Sequence, residues 1–111
     1  MSQLPIKYEK FVRDGNFTAD MRDSMFLAGL GLAGESGEVA DIIKKHLLHG
    51  GHLDRAHLKE ELGDVLWYLM HACNVFKIPI SEVAHGNILK LCERYPNQYG
   101  DPADWYEIDE N

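Results

Sequence analysis

The sequence predicts an all-α protein with a four-helix bundle fold that assembles as a homo-oligomer. Apolar residues recur at helical spacing, no segment alternates apolar and polar residues as a strand does, and turn-forming residues separate the helical segments. At 111 residues and 45% hydrophobic content, the chain can form one compact core. Because four short helices bury little apolar surface alone, we expect a homodimer or a homotetramer.

The first two helices are delimited by proline, aspartate and glycine. A first helix is predicted over residues 5–13, because its opening proline is tolerated in a first turn, and Asp-Gly-Asn ends it. A second, longer helix is predicted from residue 20 or 23 to residue 49, where two consecutive glycines stop it. Within this helix, Gly34 and Gly37 would allow another helix or a ligand to approach the backbone closely.

Two further helices complete the predicted domain, which covers residues 1–96. Asp54 is predicted to cap the third helix, which runs to residue 76 or 77, and Ser81 to cap the fourth, over residues 82–94. Lys-Ile-Pro separates the two helices, and Tyr-Pro-Asn ends the fourth. Residues 97–111 form an acidic C-terminal tail, for which disorder is the default and wrapping around a neighbouring subunit the alternative.

Charge and composition exclude several classes of partner. The formal net charge of −7 disfavours nucleic-acid binding, which requires a basic surface. The longest apolar run, residues 25–34, is about half of what a membrane span requires, and the N-terminus does not resemble a secretion signal. Cys73 and Cys92 are interpreted as reduced thiols, although a disulfide between them stays open. We therefore expect a cytoplasmic protein with no membrane or nucleic-acid partner.

Two pairs of carboxylates carry most of the functional information. Glu35 and Glu38 lie three residues apart in the second helix, and Glu61 and Asp64 have the same spacing in the third. Residues at this spacing share a helix face, so two antiparallel helices could direct four acids to one point. Like charges gathered in this way repel one another unless a cation binds. An all-oxygen ligand set favours Mg²⁺, or Mn²⁺, over zinc.

The surroundings of these acids separate a binding site from an ordinary solvated helix face. Most Glu-x-x-Glu pairs are simply exposed, but both pairs here lie among apolar and small residues that should form the core. On the helical wheel Lys45 lies near the first pair, where it could reach a phosphate or simply complement the helix dipole. Tyr68 lies near the second pair, where it could contact a nucleoside or pack in the core.

A group of histidines lies at the junction between the second and third helices, at positions 46, 49, 52 and 57. Their spacing matches no standard zinc pattern and no cysteine is nearby in sequence, so a polar surface is the preferred interpretation. The chain contains no Ser-His-Asp order, no glycine-rich phosphate loop and no Cys-x-x-Cys. Covalent catalysis therefore has no evident nucleophile.

Three segments in order resemble the MazG-like, all-α nucleoside triphosphate pyrophosphohydrolases in their small single-domain form. They are Gly-Leu-Gly-Leu-Ala-Gly-Glu-Ser-Gly-Glu-Val-Ala-Asp at 29–41, Glu-Glu-Leu-Gly-Asp-Val-Leu-Trp-Tyr-Leu at 60–69, and Asn-Ile-Leu-Lys-Leu-Cys-Glu-Arg-Tyr-Pro at 87–96. The resemblance covers most of residues 25–96. It implies attack of water on the α-phosphorus of an NTP or dNTP, which releases the monophosphate and pyrophosphate, with carboxylate-held Mg²⁺ neutralising the triphosphate.

The resemblance also implies roles for individual residues. The metal ligands by the family's pattern are Glu35, Glu38, Glu61 and Asp64, and Glu38 is also the candidate to orient the attacking water. Candidates for the phosphate side are Lys45, Asn87, Lys90 and Arg94, and Tyr68 is the candidate for the nucleoside. The preferred base stays open.

Two alternatives remain beside this function. A carboxylate-bridged di-iron bundle requires two Glu-x-x-His motifs, and the chain has a single candidate, Glu82 with His85. A non-enzymatic helical module that dimerises or docks onto a partner would leave the four acids without a use, so a neutral replacement of Glu38 or Glu61 should leave the protein unchanged or more stable.

Overall fold

The computed structural model describes residues 7–16 and 20–106, and all the regular secondary structure in these ranges is helical. The all-α prediction is therefore confirmed. The first compact unit ends at Lys77 and the second begins at Ile78. The elements are α1 (Tyr8–Asp14), α2 (Met21–Leu48), α3 (Arg55–Phe76), α4 (Ile80–Arg94), α5 (Pro96–Tyr99) and a 3₁₀ turn (Pro102–Trp105).

Local capping chemistry sets the bounds of the two long helices. The Asp20 carboxylate accepts a hydrogen bond from the Arg22 N–H at 2.7 Å and so caps α2. Asp54 caps α3 as predicted, because its Oδ1 accepts from the His57 N–H at 3.1 Å. Past the end of α2, Gly50 adopts a left-handed φ of 64°. The predicted bounds of α2 and α3 are thus correct to within a residue or two. The proline predicted to open the first helix lies outside the described residues.

Helices α2 and α3 pack as an antiparallel pair. His71 near the end of α3 donates from Nε2 to the Ser24 carbonyl near the start of α2, at 3.1 Å. One turn before His71, the Tyr68 ring lies against Gly31 of α2. The two helices therefore run in opposite directions, so that residues early in α2 contact residues late in α3. This register decides which side chains of the two helices meet.

The close approach of the two helices depends on Gly31. A Cβ placed on Gly31 would lie 2.1 Å from Cε1 of the Tyr68 ring, well inside van der Waals contact. Gly34 and Gly37, which the sequence analysis expected at a close contact, have no described atom within 4 Å of such a Cβ. The helix–helix contact thus falls one turn before the predicted position, and the backbone at 34 and 37 is open.

The first unit is packed around one face of α3. Val12, Ala28, Met70 and Cys73 are buried, and His71 is only 1% exposed. The Trp67 and His71 rings stack with centroids 5.1 Å apart. Helix α1 is tied to α3 by the Asn74 side-chain amide, which donates to the Glu9 carbonyl at 3.2 Å.

The second unit departs from the sequence predictions at both ends of α4. The predicted cap at Ser81 is wrong: Pro79 is the N-cap residue, its carbonyl accepts from the Glu82 N–H at 2.9 Å, and Ser81 lies inside the first turn. Proline presets the backbone φ near −60°, so the helix can begin directly after it. Arg94 ends α4 as predicted, with Tyr95 as the C-cap residue.

The chain after Pro96 is ordered as far as it is described. Trp105 donates from Nε1 to the Tyr99 carbonyl at 2.7 Å, and Asp101 caps the 3₁₀ turn by accepting from the Ala103 N–H at 2.8 Å. The Tyr106 hydroxyl is hydrogen-bonded to Nδ1 of His85 on α4. The expectation of disorder is therefore wrong for residues 98–106, and residues 107–111 lie outside the described ranges. None of the described helices is both long and apolar enough to cross a bilayer.

Replacing Gly31 with alanine is expected to destabilise the protein by about 1–2 kcal/mol, because overpacking at Tyr68 outweighs the roughly 1 kcal/mol gained in helix propensity. Gly29→Ala is the matched control, since a Cβ there meets no described atom within 4 Å. The control should stabilise the protein by about 0.5–1 kcal/mol. Urea unfolding followed by circular dichroism measures both, and equal effects of the two variants would contradict the packing role of Gly31.

Candidate metal centre and adjoining cleft

Three carboxylates from two helices meet at one point of the α2–α3 interface. Glu35 comes from α2, and Glu61 and Asp64 come from successive turns of α3. One oxygen from each lies within 4.8 Å of the other two. Glu35 is half-buried and the Glu61 side chain is 17% exposed, whereas Asp64 is exposed. We call these three residues the acid group. It can bind an ion and remains open to solvent on one side.

The surroundings of Glu35 in the acid group shift its pKa. The pKa of Glu35 is raised above that of an ordinary glutamate, first by its hydrogen bond with Glu61, then by desolvation, and then by the charges of Asp64, Glu61 and Glu38. A glutamate with a raised pKa binds its proton more tightly in the folded state. Its contribution to stability is therefore present at low pH and is lost as the pH rises through the raised pKa. Without a cation, the ionised acid group destabilises the fold.

Glu38 does not belong to the acid group in this structure. A step of three residues moves a side chain about 4.5 Å along the helix axis. Because α2 and α3 are antiparallel, that step carries Glu38 toward the connecting loop, and Glu38 is not among the residues whose oxygens lie within 4.8 Å of one another. Glu38 nevertheless stays close enough to Glu35 to help raise its pKa.

The donor set of the acid group fits a hard divalent cation. All three ligand atoms are carboxylate oxygens, the type that Mg²⁺ and Mn²⁺ prefer, and within the described ranges no histidine or cysteine joins them. Nε2 of His57 lies 3.4 Å from Oε1 of Glu61, on the side of the loop. A neighbour of this kind orients a ligand carboxylate from outside the site.

Tyr8 on α1 is a neighbour of the acid group that the sequence analysis missed. The pKa of its phenol is raised by burial and, second, by the negative charge of Asp64. Tyr8 also stacks on Phe11, with centroids 5.8 Å apart. Nothing in the local sequence marks this residue, because its position depends on how α1 packs on α3.

The other predicted site residues lie in different surroundings. Tyr68 is half-buried against Gly31 and makes an edge contact with Trp67, with ring centroids 5.1 Å apart. The Lys45 ammonium forms an ion pair with Asp41 at 2.9 Å, one turn back on α2. Asn87, Lys90 and Arg94 lie exposed on α4, in the second compact unit. Their roles toward a substrate stay predictions.

An open cleft of about 560 Å³ adjoins the acid group on the side of the α2–α3 loop. Nδ1 of His46 lies 2.9 Å from the Gly51 carbonyl and so connects α2 to that loop. Although the four histidines share this cleft, no three ligand atoms of theirs converge as those of the acid group do, within the part of the chain that is described. The lining residues are Glu38, Asp41, Ile42, Lys45, His46, His49, Gly51, His52, Asp54 and His57.

Comparison with known proteins now identifies the family. The family model described as the MazG nucleotide pyrophosphohydrolase domain matches residues 27–99, which include most of α2, all of α3 and α4, and all three members of the acid group. The chain belongs to the MazG family. A relative named "Gene 37 protein", from Mycobacterium phage L5, is 34% identical over 79 residues, which cover 68% of this chain and 69% of the relative. No solved structure matches the chain.

Family membership confirms the resemblance inferred from the three sequence segments and the all-α MazG fold. Membership of this family suggests nucleotide pyrophosphohydrolase activity and implies a nucleotide as the substrate. A divalent metal is typical of the family, and the acid group is a possible place for it. Helix α1, which brings Tyr8 near Asp64, lies outside the matched residues.

Replacing Glu35 with glutamine is expected to raise the melting temperature of the metal-free protein by a few degrees, because it removes one of three repelling carboxylates while keeping the side-chain shape. The same change should reduce the stabilisation that MgCl₂ gives the unaltered chain. Thermal unfolding in EDTA and in MgCl₂ measures both effects. Glu60→Gln, an exposed neighbour outside the acid group, is the control. A lower melting temperature for Glu35→Gln in EDTA would contradict the repulsion.

Proposed function

We propose that this MazG-family protein is a Mg²⁺-dependent pyrophosphohydrolase that converts an NTP or dNTP to the monophosphate and pyrophosphate. The observation that carries the proposal is the acid group, in which Glu35, Glu61 and Asp64 bring three carboxylate oxygens within 4.8 Å of one another. Such a group is unfavourable by itself, as the raised pKa of Glu35 indicates. A site for a cation is the simplest use for it.

The proposed ligands of Mg²⁺, or of Mn²⁺, are Glu35, Glu38, Glu61 and Asp64. The acid group, which does not include Glu38, fits a hard cation. Glu38 lies one turn after Glu35 on α2. The ion would neutralise the charge of the triphosphate and make a water molecule more acidic. A purely electrostatic role of this kind suits phosphoryl transfer, in which the protein contributes mainly positioning and charge.

Glu38 is the proposed residue for handling the attacking water. The water oxygen forms a bond to the α-phosphorus, the bond from that phosphorus to the bridging oxygen breaks, and pyrophosphate leaves. Glu38 orients the water and accepts its proton, as a carboxylate in hydrogen-bond reach of a nucleophilic water can do. Glu38 lines the cleft and is close enough to the acid group for its charge to act on Glu35, which supports this role.

The phosphate side of the substrate is proposed to contact Lys45, Asn87, Lys90 and Arg94. Lys90 and Arg94 are four residues apart on α4 and therefore share a helix face. Lys45 has the least support of the four, because its ammonium is paired with Asp41 at 2.9 Å and it lines a cleft that also contains three carboxylates. Tyr68 is the proposed nucleoside contact, since it lies one helical turn beyond Asp64 on α3.

We also propose that the protein works as a homodimer or homotetramer in the cytoplasm, with residues 1–96 as the catalytic domain. Apolar side chains on α2 support an assembly, because Leu30 and Leu47 are 72% and 70% exposed and Phe26 is 53% exposed. Both cysteines are buried and free, as expected for a reducing compartment.

The two rival functions have less support. The di-iron alternative needs histidine ligands, yet none joins the acid group in the described part of the chain, and His85 is hydrogen-bonded to Tyr106. A dimerisation module would use the exposed apolar face of α2 but would leave the repelling acids without a purpose.

The full chain with MgCl₂ is expected to release pyrophosphate from at least one member of a panel of ribo-, deoxyribo- and modified nucleoside triphosphates, and EDTA should stop the release. Glu61→Gln and Asp64→Asn should each lower kcat/KM by about 100-fold or more, as expected for the loss of several kcal/mol of charge stabilisation. Glu60→Gln serves as the control and should keep its activity. Folded protein without turnover on any triphosphate would reject the proposal.

Attack at the α-phosphorus makes a separate prediction about where the water oxygen ends up. In water labelled with oxygen-18, the label should appear in the nucleoside monophosphate and not in pyrophosphate. Mass spectrometry of both products after a single turnover measures this. Label in pyrophosphate would mean attack at the β-phosphorus and would contradict the proposed reaction.

A further inference from the structure

Most residues that line the cleft beside the acid group have no role in the proposed metal chemistry. Four of its lining residues are histidines, at positions 46, 49, 52 and 57, and Ile42 adds an apolar surface. Glu38 joins the two sites, because it lines the cleft and its charge also acts on Glu35. A substrate bound at the acid group could therefore extend directly into the cleft.

The spacing along α2 fits the length of a nucleotide. Ile42 follows Glu35 by seven residues, which is about 10 Å along a helix. This is of the order of the separation between the α-phosphorus of a nucleotide and the far edge of its base. When the α-phosphate lies at the acid group, a nucleotide that extends along α2 toward the loop therefore reaches the cleft at Ile42.

The charge of the cleft disfavours the β- and γ-phosphates as its occupant. Three carboxylates, those of Glu38, Asp41 and Asp54, face one ammonium, that of Lys45. Two negative charges remain when the histidines are neutral. Moreover, the Lys45 ammonium is already paired with Asp41 at 2.9 Å. A phosphate tail would meet net repulsion here, whereas an uncharged ring would not.

A nucleobase matches the surfaces that the cleft offers. Imidazole rings and an aliphatic side chain provide flat and apolar contacts on which bases stack. Ionised carboxylates only accept hydrogen bonds, so they select ligands that donate them. Cytosine and adenine carry an exocyclic amino group that donates two, whereas uracil carries a carbonyl at the position where cytosine has its amino group.

We propose that the cleft bounded by Ile42, His46, His49, His52 and His57 binds the nucleobase of the substrate and prefers bases that carry an amino group. Asp41 and Asp54 supply the acceptors that read this group. The inference rests on the proposed pyrophosphohydrolase function for its substrate class. It adds a specificity site to the acid group and gives the histidines a role.

Nuclear magnetic resonance of the histidine rings tests the site without any turnover. The chain has six histidines, and His71 and His85 do not line the cleft, so their signals serve as internal controls. Cytidine or adenosine is expected to shift the signals of the four cleft histidines in the metal-free full chain, and uridine should shift them less. Shifts caused by inorganic pyrophosphate and not by nucleosides would overturn the proposal, as would a lack of shifts with either.

A matched pair of variants tests the site in the reaction. Ile42→Trp fills the cleft, whereas Ile43→Trp adds the same side chain at the neighbouring exposed position, outside the cleft. We expect Ile42→Trp to lower kcat/KM for the preferred triphosphate by about tenfold or more and to reduce discrimination between CTP and UTP. Inhibition by pyrophosphate should stay unchanged. Equal effects of both variants, or an equal loss for every base, would overturn the inference.

The two experiments separate this inference from the proposed function. Nucleoside binding at the cleft histidines without turnover would reject the pyrophosphohydrolase while keeping the base site. Turnover with a base preference that Ile42→Trp leaves unchanged would reject the base site while keeping the enzyme. If Ile42→Trp does not fold, the ring signals of the unaltered chain still decide the question.

Discussion

The antiparallel register of α2 and α3 is the constraint on which the rest of the first unit depends. It is fixed at one end by the His71 side chain on the Ser24 carbonyl and in the middle by the Tyr68 ring on Gly31. Further along, the same register brings Glu35 against Glu61 although their charges repel. Packing and hydrogen bonding in one half of the helix pair therefore hold together carboxylates that would separate by themselves. Carboxylates held in this way are preorganised for the cation that we propose binds there.

The features predicted correctly from the sequence are those that local chemistry decides. An aspartate caps α3 because its carboxylate reaches a backbone N–H three residues away, and such a contact is encoded within one turn. The acid pairs were recognisable because their spacing is itself local. The cap at Ser81 failed because Pro79, two residues earlier, presets the backbone for a helix start. The order of residues 98–106 was missed because it depends on contacts such as Trp105 with the Tyr99 carbonyl.

The arrangement of the site required information that no single segment contains. Glu38 lies outside the acid group because of the direction of α3 relative to α2 and the position at which the two helices contact each other. The antiparallel direction was predicted, but the meeting point depends on Gly31 and Tyr68, which are 37 positions apart in the chain. Tyr8 illustrates the same limit, since its relation to Asp64 arises only when α1 packs on α3. Spacing thus identifies candidate ligands, and packing decides which of them meet.

The contact between Gly31 and the Tyr68 ring also constrains how this sequence can diverge. With a Cβ at position 31 only 2.1 Å from that ring, a larger residue there is compatible with the same helix separation only if position 68 becomes smaller. Each single change leaves either a steric overlap or a cavity at this contact, so we expect the two positions to change together. A homologue with a larger residue at position 31 is therefore expected to have a smaller residue at position 68.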